Sequence, residues 1–276
     1  MNERSYDIQD VRYHILSNGD EQNGVPLLLL HGFTGSAANW LPLMEMLGRN
    51  RRVIAVDLLG HGGTDSPDDP ARYRIERAAA DLIDILDLLD IVQVDLLGYS
   101  MGGRLALACA VEYPLRIRSL ILESASPGLA TSAEREARRQ SDCALADCIE
   151  KKGVSAFIDY WESIPLFASQ MNLPHEARAQ LRAQRLTNNP RGLANSLRGM
   201  GTGAQPNYWD TLRHLVMPIL LITGALDTKF SKIGMDMHTA INRSRLHIVP
   251  GAGHTVHLEQ PRLFGELTRD FLNAMP

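Results

Sequence analysis

The sequence predicts an α/β fold: a mostly parallel sheet flanked by helices and interrupted by one helical insertion. Three observations carry this. Short apolar runs bounded by turn residues recur along the chain, and most are followed by a helical repeat. The runs are apolar throughout, as strands buried on both faces must be, and do not alternate with polar residues. One block, from about Leu129 to Gly203, carries helical patterns and no convincing strand.

In chain order, Val11–Leu16 reads as a strand, and Asn18–Gly19–Asp20 marks a turn. Pro26–Leu30 is a buried strand, Trp40–Leu47 has helical spacing, and Arg52–Val56 is a second buried strand ending at Asp57. Tyr73–Leu89 places Ile75, Ala79, Leu82, Ile83, Leu86 and Leu89 on one helical face. Val92–Leu97 is a strand, Arg104–Glu112 a helix ending before Pro114, and Ile117–Leu122 a strand. After the helical block, Pro218–Ile222 resumes the strands. The helix Ile233–Ile241, the strand Leu246–Val249 and the helix Arg262–Leu272 follow. Strands that alternate with helices imply right-handed crossovers within one sheet. The expected division is therefore an α/β core over 1–128 and 205–276, with a helical lid inserted at 129–204.

The 276 residues are enough for a sizeable core, with 45% apolar and 22% charged side chains. A net charge of −4 argues against a nucleic-acid partner, which calls for a basic face. Cys109, Cys143 and Cys148 are too few and too scattered for a disulfide framework, and no Cys/His cluster suggests a metal. Nothing resembles a dinucleotide fingerprint, so neither metal nor organic cofactor is expected. Met1–Asp10 is polar and does not read as a signal peptide. Val25–Leu30, the longest apolar run, is far short of the roughly 20 residues that span a bilayer. A cytoplasmic monomer or small homo-oligomer, away from membranes, is the expectation.

Gly98–Tyr99–Ser100–Met101–Gly102 is a G-x-S-x-G motif, directly after a predicted strand and before a predicted helix, the context this motif requires. A serine hydroxyl is too weak an acid to react unaided; it needs a base in reach and an orienting partner for that base. Asp227 follows the strand at Pro218–Ile222, and His254 follows the strand at Leu246–Val249 in Gly251–Ala252–Gly253–His254. Both sit at strand carboxyl ends, on the sheet edge that carries Ser100, in the order Ser…Asp…His. His257 could flank the site, His247 reads as a sheet residue, and Asp236 falls within a helix. Two backbone N–H groups should form the oxyanion hole, one from Met101 and one from His31–Gly32–Phe33–Thr34–Gly35, expected at Phe33. Asp57–Gly62 reads as a structural turn bracing the site.

These blocks, over essentially the whole chain, resemble the α/β-hydrolase superfamily. A closer resemblance is to the 2-succinyl-6-hydroxy-2,4-cyclohexadiene-1-carboxylate (SHCHC) synthase family of menaquinone biosynthesis. It is carried by 98–106 (Gly98–Ala106), by Glu134–Arg135 with Arg138, and by Asp159–Tyr160–Trp161 with Pro165–Leu166–Phe167. Arg185 with Asn188–Asn189, 201–206 (Gly201–Pro206) before Trp209, and Asp227–Thr228–Lys229–Phe230 complete it. That resemblance implies a lyase that eliminates pyruvate from a substrate with several carboxylates, Ser100 taking a proton under the control of His254. Arginine grips carboxylates with paired hydrogen bonds, so Arg104, one turn after Ser100, and Arg138 and Arg185 on the lid become substrate-binding candidates. Tyr99 and Trp161 would supply flat walls with polar tips. The triad alone does not separate elimination from acyl transfer, because both need a tuned base and preorganised donors. A carboxylesterase or carbon–carbon bond hydrolase is therefore the alternative, and a silent binding protein on the same fold the third reading.

Overall fold

The computed structural model describes residues 1–19, 24–49 and 51–275. Eight strands form one sheet: β1 (Asn2–Ile8), β2 (Val11–Asn18), β3 (Leu27–Leu30), β4 (Val53–Val56), β5 (Val94–Tyr99), β6 (Ile117–Glu123), β7 (Ile219–Gly224) and β8 (Ser244–Val249). Their order is β1-β2-β4-β3-β5-β6-β7-β8. The first two strands run antiparallel, and β4 to β8 are joined by parallel ladders.

The apolar runs sit where both faces of the sheet are covered. Leu28, Leu30, Ile54, Val56, Leu96 and Leu120 pack on one face against α2 (Ile75–Leu88) and α3 (Met101–Glu112). Leu27, Leu29, Val53, Ala55, Leu97 and Ile121 pack on the other against α1 (Leu41–Leu47) and α9 (Pro261–Asn273). Successive residues of one strand thus feed opposite cores, which is why no polar alternation marks them.

β1 was not anticipated. Its residues Asn2 to Ser5 are exposed and mostly polar, so no hydrophobic period announces the strand. Pairing to β2 through a tight turn at Gln9 creates it, and its charged side chains suit a sheet edge. Two helices begin earlier than the apolar pattern suggests. α3 starts at Met101, and α7 (Thr228–Ala240) starts directly after Asp227, whose Oδ1 caps it by accepting from the Phe230 N–H. The turn expected at Asn18–Gly19–Asp20 reaches Asp20, which lies outside the described residues.

Between β6 and β7 the described chain contains helices only: α4 (Ser132–Ser163), a 3-10 stretch (Pro165–Asn172), α5 (His175–Leu186), α6 (Pro190–Met200) and a second 3-10 stretch (Trp209–His214). α4 is two helical arms meeting at Gly153, whose φ of 80° breaks the ladder. Thr131 and Glu134 cap its start reciprocally. This block has its own small core of Ala146, Ile149, Phe157, Ile158, Leu193, Ala194 and Leu197, with Phe33 of the main body packed against it. Among the described residues no helix is long and apolar enough to cross a membrane.

Candidate active site

Ser100 sits at the turn from β5 into α3 with φ 49° and ψ −106°, a conformation that costs a non-glycine residue about 1–3 kcal/mol. Its N–H donates to the Glu123 carbonyl (2.8 Å), and its carbonyl accepts from the Arg104 N–H (3.0 Å). The glycines of the motif allow this approach. A Cβ on Gly98 would lie 2.3 Å from the Gly102 carbonyl oxygen, and one on Gly102 would lie 2.3 Å from that of Leu30.

His254 Nε2 lies 3.0 Å from Ser100 Oγ, and its Nδ1 lies 2.7 Å from Asp227 Oδ2. A carboxylate only accepts, so Nδ1 carries the hydrogen and Nε2 is left to receive the serine proton. Asp227 and His254 are both buried. Their loops are tied by backbone bonds from Ala225 to Val249 and from Leu226 to Ala252, each 2.9 Å. The competitors fall elsewhere. His247 is exposed on the edge strand, and Asp236 is exposed and paired with Lys232. His257 is buried against Glu123, with Nδ1 2.7 Å from Oε2.

Several supports escaped the sequence reading. Glu259 accepts from the N–H groups of Gly253 (2.7 Å) and Thr255 (3.2 Å), clamping the backbone on both sides of His254. The Phe230 ring meets the His254 ring edge-on at 4.5 Å, which gives a structural task to a residue that had none. Neither contact has a sequence signature; each depends on a side chain reaching a backbone or ring that folding brings near.

The loop after β3 is anchored by His31. Its Nε2 accepts from the Leu58 N–H (3.0 Å), so its Nδ1 donates to the Gly32 carbonyl (2.8 Å). Burial lowers the His31 pKa to about 4, and burial with the neighbouring His31 ring lowers that of His61 to about 3. Both rings are neutral at pH 7. Asp57 accepts from the N–H groups of Ala37 (2.6 Å) and Gly63 (2.7 Å), so the Asp57–Gly62 segment acts as a brace.

Phe33, Tyr99, Met101, Arg104, Arg138 and Trp161 line one cavity of about 410 Å³ together with Ser100 and His254. Arg104 Nη1 donates to the Met200 carbonyl (2.7 Å) and to Gln205 Oε1 (3.3 Å), and among the described residues no carboxylate lies within ion-pair distance of it. Burial, aided by the charge of Arg138, brings the Arg104 guanidinium down to about 10. Arg138 gives its Nε to Asp142 Oδ1 (2.7 Å) at the cavity's edge. The Trp161 Nε1 is buried without a hydrogen-bond partner. Tyr99 donates to or accepts from Thr255 Oγ1 (2.9 Å), and burial holds its phenol above the usual range. Lys229, Phe230, Ser124 and Trp209 complete much of the wall.

Arg185 departs from the expectation. It does not line this cavity but lies over the Phe167 ring, 5.4 Å from the centroid, while that ring meets His254 at 6.0 Å. Its Nη1 pairs with Glu162 (3.2 Å) and its Nη2 donates to Gln170 Oε1 (3.2 Å). These partners hold two of the three guanidinium nitrogens inside the helical block and leave the buried Nε without a hydrogen-bond partner, a direction that a sequence pattern cannot show.

The family described as alpha/beta hydrolase fold matches residues 25–261. A Bacillus subtilis protein provisionally named a 2-succinyl-6-hydroxy-2,4-cyclohexadiene-1-carboxylate synthase is 48% identical over 96% of this chain and 96% of its own. The enzyme of that name from Salmonella typhimurium is 32% identical over 87% of this chain and 91% of its own. Among solved structures, MenH from Staphylococcus aureus superposes with a TM-score of 0.90 at 36% identity, covering 95% of this chain and 97% of that one. A malate-bound esterase from Thermogutta terrifontis reaches a TM-score of 0.85 at 25% identity, covering 100% and 99%.

Proposed function

We propose the chemistry of this chain from its family: it belongs to the α/β-hydrolase fold and, within it, to the SHCHC synthases. It is a lyase of menaquinone biosynthesis. It eliminates pyruvate from 2-succinyl-5-enolpyruvyl-6-hydroxy-3-cyclohexene-1-carboxylate to give SHCHC. The observation that best supports this over ester hydrolysis is the cavity wall. Arg104 and Arg138 stand in it, and among the described residues no carboxylate side chain does. A wall of that sign suits a substrate with three carboxylates.

In this reading Ser100, Asp227 and His254 are the catalytic residues. His254 takes the Ser100 proton, and the serine oxygen takes the ring proton beside the succinyl carbonyl. The electron pair of that C–H bond forms a new ring double bond, the existing one shifts by one position, and the C–O bond to the enolpyruvyl group breaks. The departing enolate recovers a proton from the His254 imidazolium and becomes pyruvate. The N–H groups of Phe33 and Met101 hold the negative oxygen that the succinyl carbonyl develops. Arg104 and Arg138 hold substrate carboxylates, with Tyr99 and Trp161 as walls. Residues 129–204 act as a lid over a core formed by 1–128 and 205–276, and Arg185 fastens that lid. The small polyanionic substrate, and three cysteines without disulfide partners, fit a cytoplasmic monomer or small homo-oligomer.

The test is to give the enzyme this precursor and follow pyruvate and the conjugated diene together. Equal release of both, reduced at least about 10³-fold in Ser100→Ala, is the expected result. Efficient cleavage of aryl esters with no release of pyruvate would replace this reading with the hydrolase one.

A further inference from the structure

Three cationic side chains line the cavity around Ser100: Arg104, Arg138 and Lys229. The two arginines stand on α3 and α4. Lys229 is different. It stands in the first turn of α7, where the helix dipole disfavours a cation and where the one carboxylate, Asp227 at the N-cap, is engaged with the Phe230 N–H and His254. Among the described residues no carboxylate lies within ion-pair distance of its ammonium. Its ammonium stands over the Phe230 ring, 5.8 Å from the centroid. That same ring packs on His254. A lysine in this place costs the helix something, and among the described residues no ion pair offsets that cost.

We infer that Lys229 is a specificity-determining residue, a third carboxylate-binding cation on the side of the cavity opposite in chain order to the arginines, beside the His254–Phe230 contact. This deepens the proposed function and rests on it: the substrate carries three carboxylates, and the wall offers three positive groups. Lysine is a strongly hydrated point charge on a flexible stem, so an exposed lysine suits capture and orientation at the mouth more than rigid paired recognition. Its contribution therefore falls mainly on substrate binding and on ionic-strength dependence, not on the proton-transfer step.

The experiment compares the wild type with Lys229→Gln and Lys229→Arg on the tricarboxylate precursor, measuring kcat and KM at low and high salt. Lys229→Gln should raise KM about fivefold, lower kcat by less than about twofold, and flatten the fall of kcat/KM with salt. Lys229→Arg should restore most of both. A KM and salt slope unchanged in Lys229→Gln would overturn the inference, as would a loss confined to kcat. Should the wild type release no pyruvate, the function fails, and the inference is then decided by calorimetric binding of cyclohexane-1,3,5-tricarboxylate. Weaker binding to Lys229→Gln than to wild type supports the cation's role; equal binding, or none to either, removes it.

Discussion

The strand-end loops and the helical block between β6 and β7 face each other across one cavity, yet they are held by different means. Ser100, Asp227 and His254 hang from backbone hydrogen bonds that continue the sheet, and their surroundings are buried. The helical block is fastened largely by side chains: Arg198 to Asp147 and Glu150, Arg182 to Asp159 and Glu162, Arg185 to Glu162. The more exposed of these pairs, those of Arg198 and Arg182, contribute only about 0–1 kcal/mol each. The difference assigns the labour. Under the proposed mechanism the strand-end edge fixes the proton-transfer device, and the helical block brings Arg138 and Trp161 to the same cavity.

The sharpest way to break that comparison is Asp227→Asn. An amide in that place no longer fixes the Nδ1–H form of His254, and turnover should fall by about 10³-fold or more with little change in KM. A modest loss measured by steady-state kinetics would mean that the loop geometry, not the carboxylate, orients the base.

Next in size is a pair of arginine variants. Arg104→Met should lower kcat/KM about 100-fold, because the cavity loses a guanidinium that no protein carboxylate already holds. Arg185→Met should cost less than about tenfold and should show instead as faster proteolysis within the helical block. Equal losses in kcat/KM would return Arg185 to the substrate and would mean that Phe167 moves aside.

The smallest effect concerns acid. His31 and His61 are neutral in the folded state, with pKa values of about 4 and about 3 against 6.5 when unfolded. Below pH 6.5 the unfolded chain takes up protons that the folded chain refuses, so stability falls with pH until each folded pKa is reached. At pH 5 this amounts to roughly 2 kcal/mol per ring. Urea midpoints at pH 7 and pH 5 should separate more in the wild type than in His61→Phe. Matching slopes would mean that the acid sensitivity lies elsewhere.

What could be read in advance follows the same division. The buried strands were legible because burial on both faces leaves runs such as Leu27–Leu30 with no polar residue. The nucleophile turn was legible because its backbone admits only small neighbours, and Asp227 and His254 because strand ends place them on the same edge. β1 was not, since its pairing and not its hydrophobicity makes it a strand. Glu259 and the Glu123–His257 pair were not, since each acts through space on a neighbour that no spacing rule names. Arg185 shows the limit best: its helix could be foreseen, but its direction is set by Glu162 and Gln170.

Thr34 ties the two regions together. Its backbone is left-handed, with φ 67°, and its carbonyl accepts from Asn188 Nδ2 (2.9 Å) and Gln184 Nε2 (3.2 Å) of the helical block. One residue before it stands Phe33. The peptide that would cradle the nascent oxyanion is thus hitched to the helices above it, like a pawl held by its ratchet wheel. Under the proposed mechanism a tilt of α5 would be transmitted to that peptide, so that substrate admission and oxyanion stabilisation would share one mechanical linkage. A disulfide that clamps α5 to the body would slow the arrival and departure of molecules while leaving each individual elimination event as fast as before.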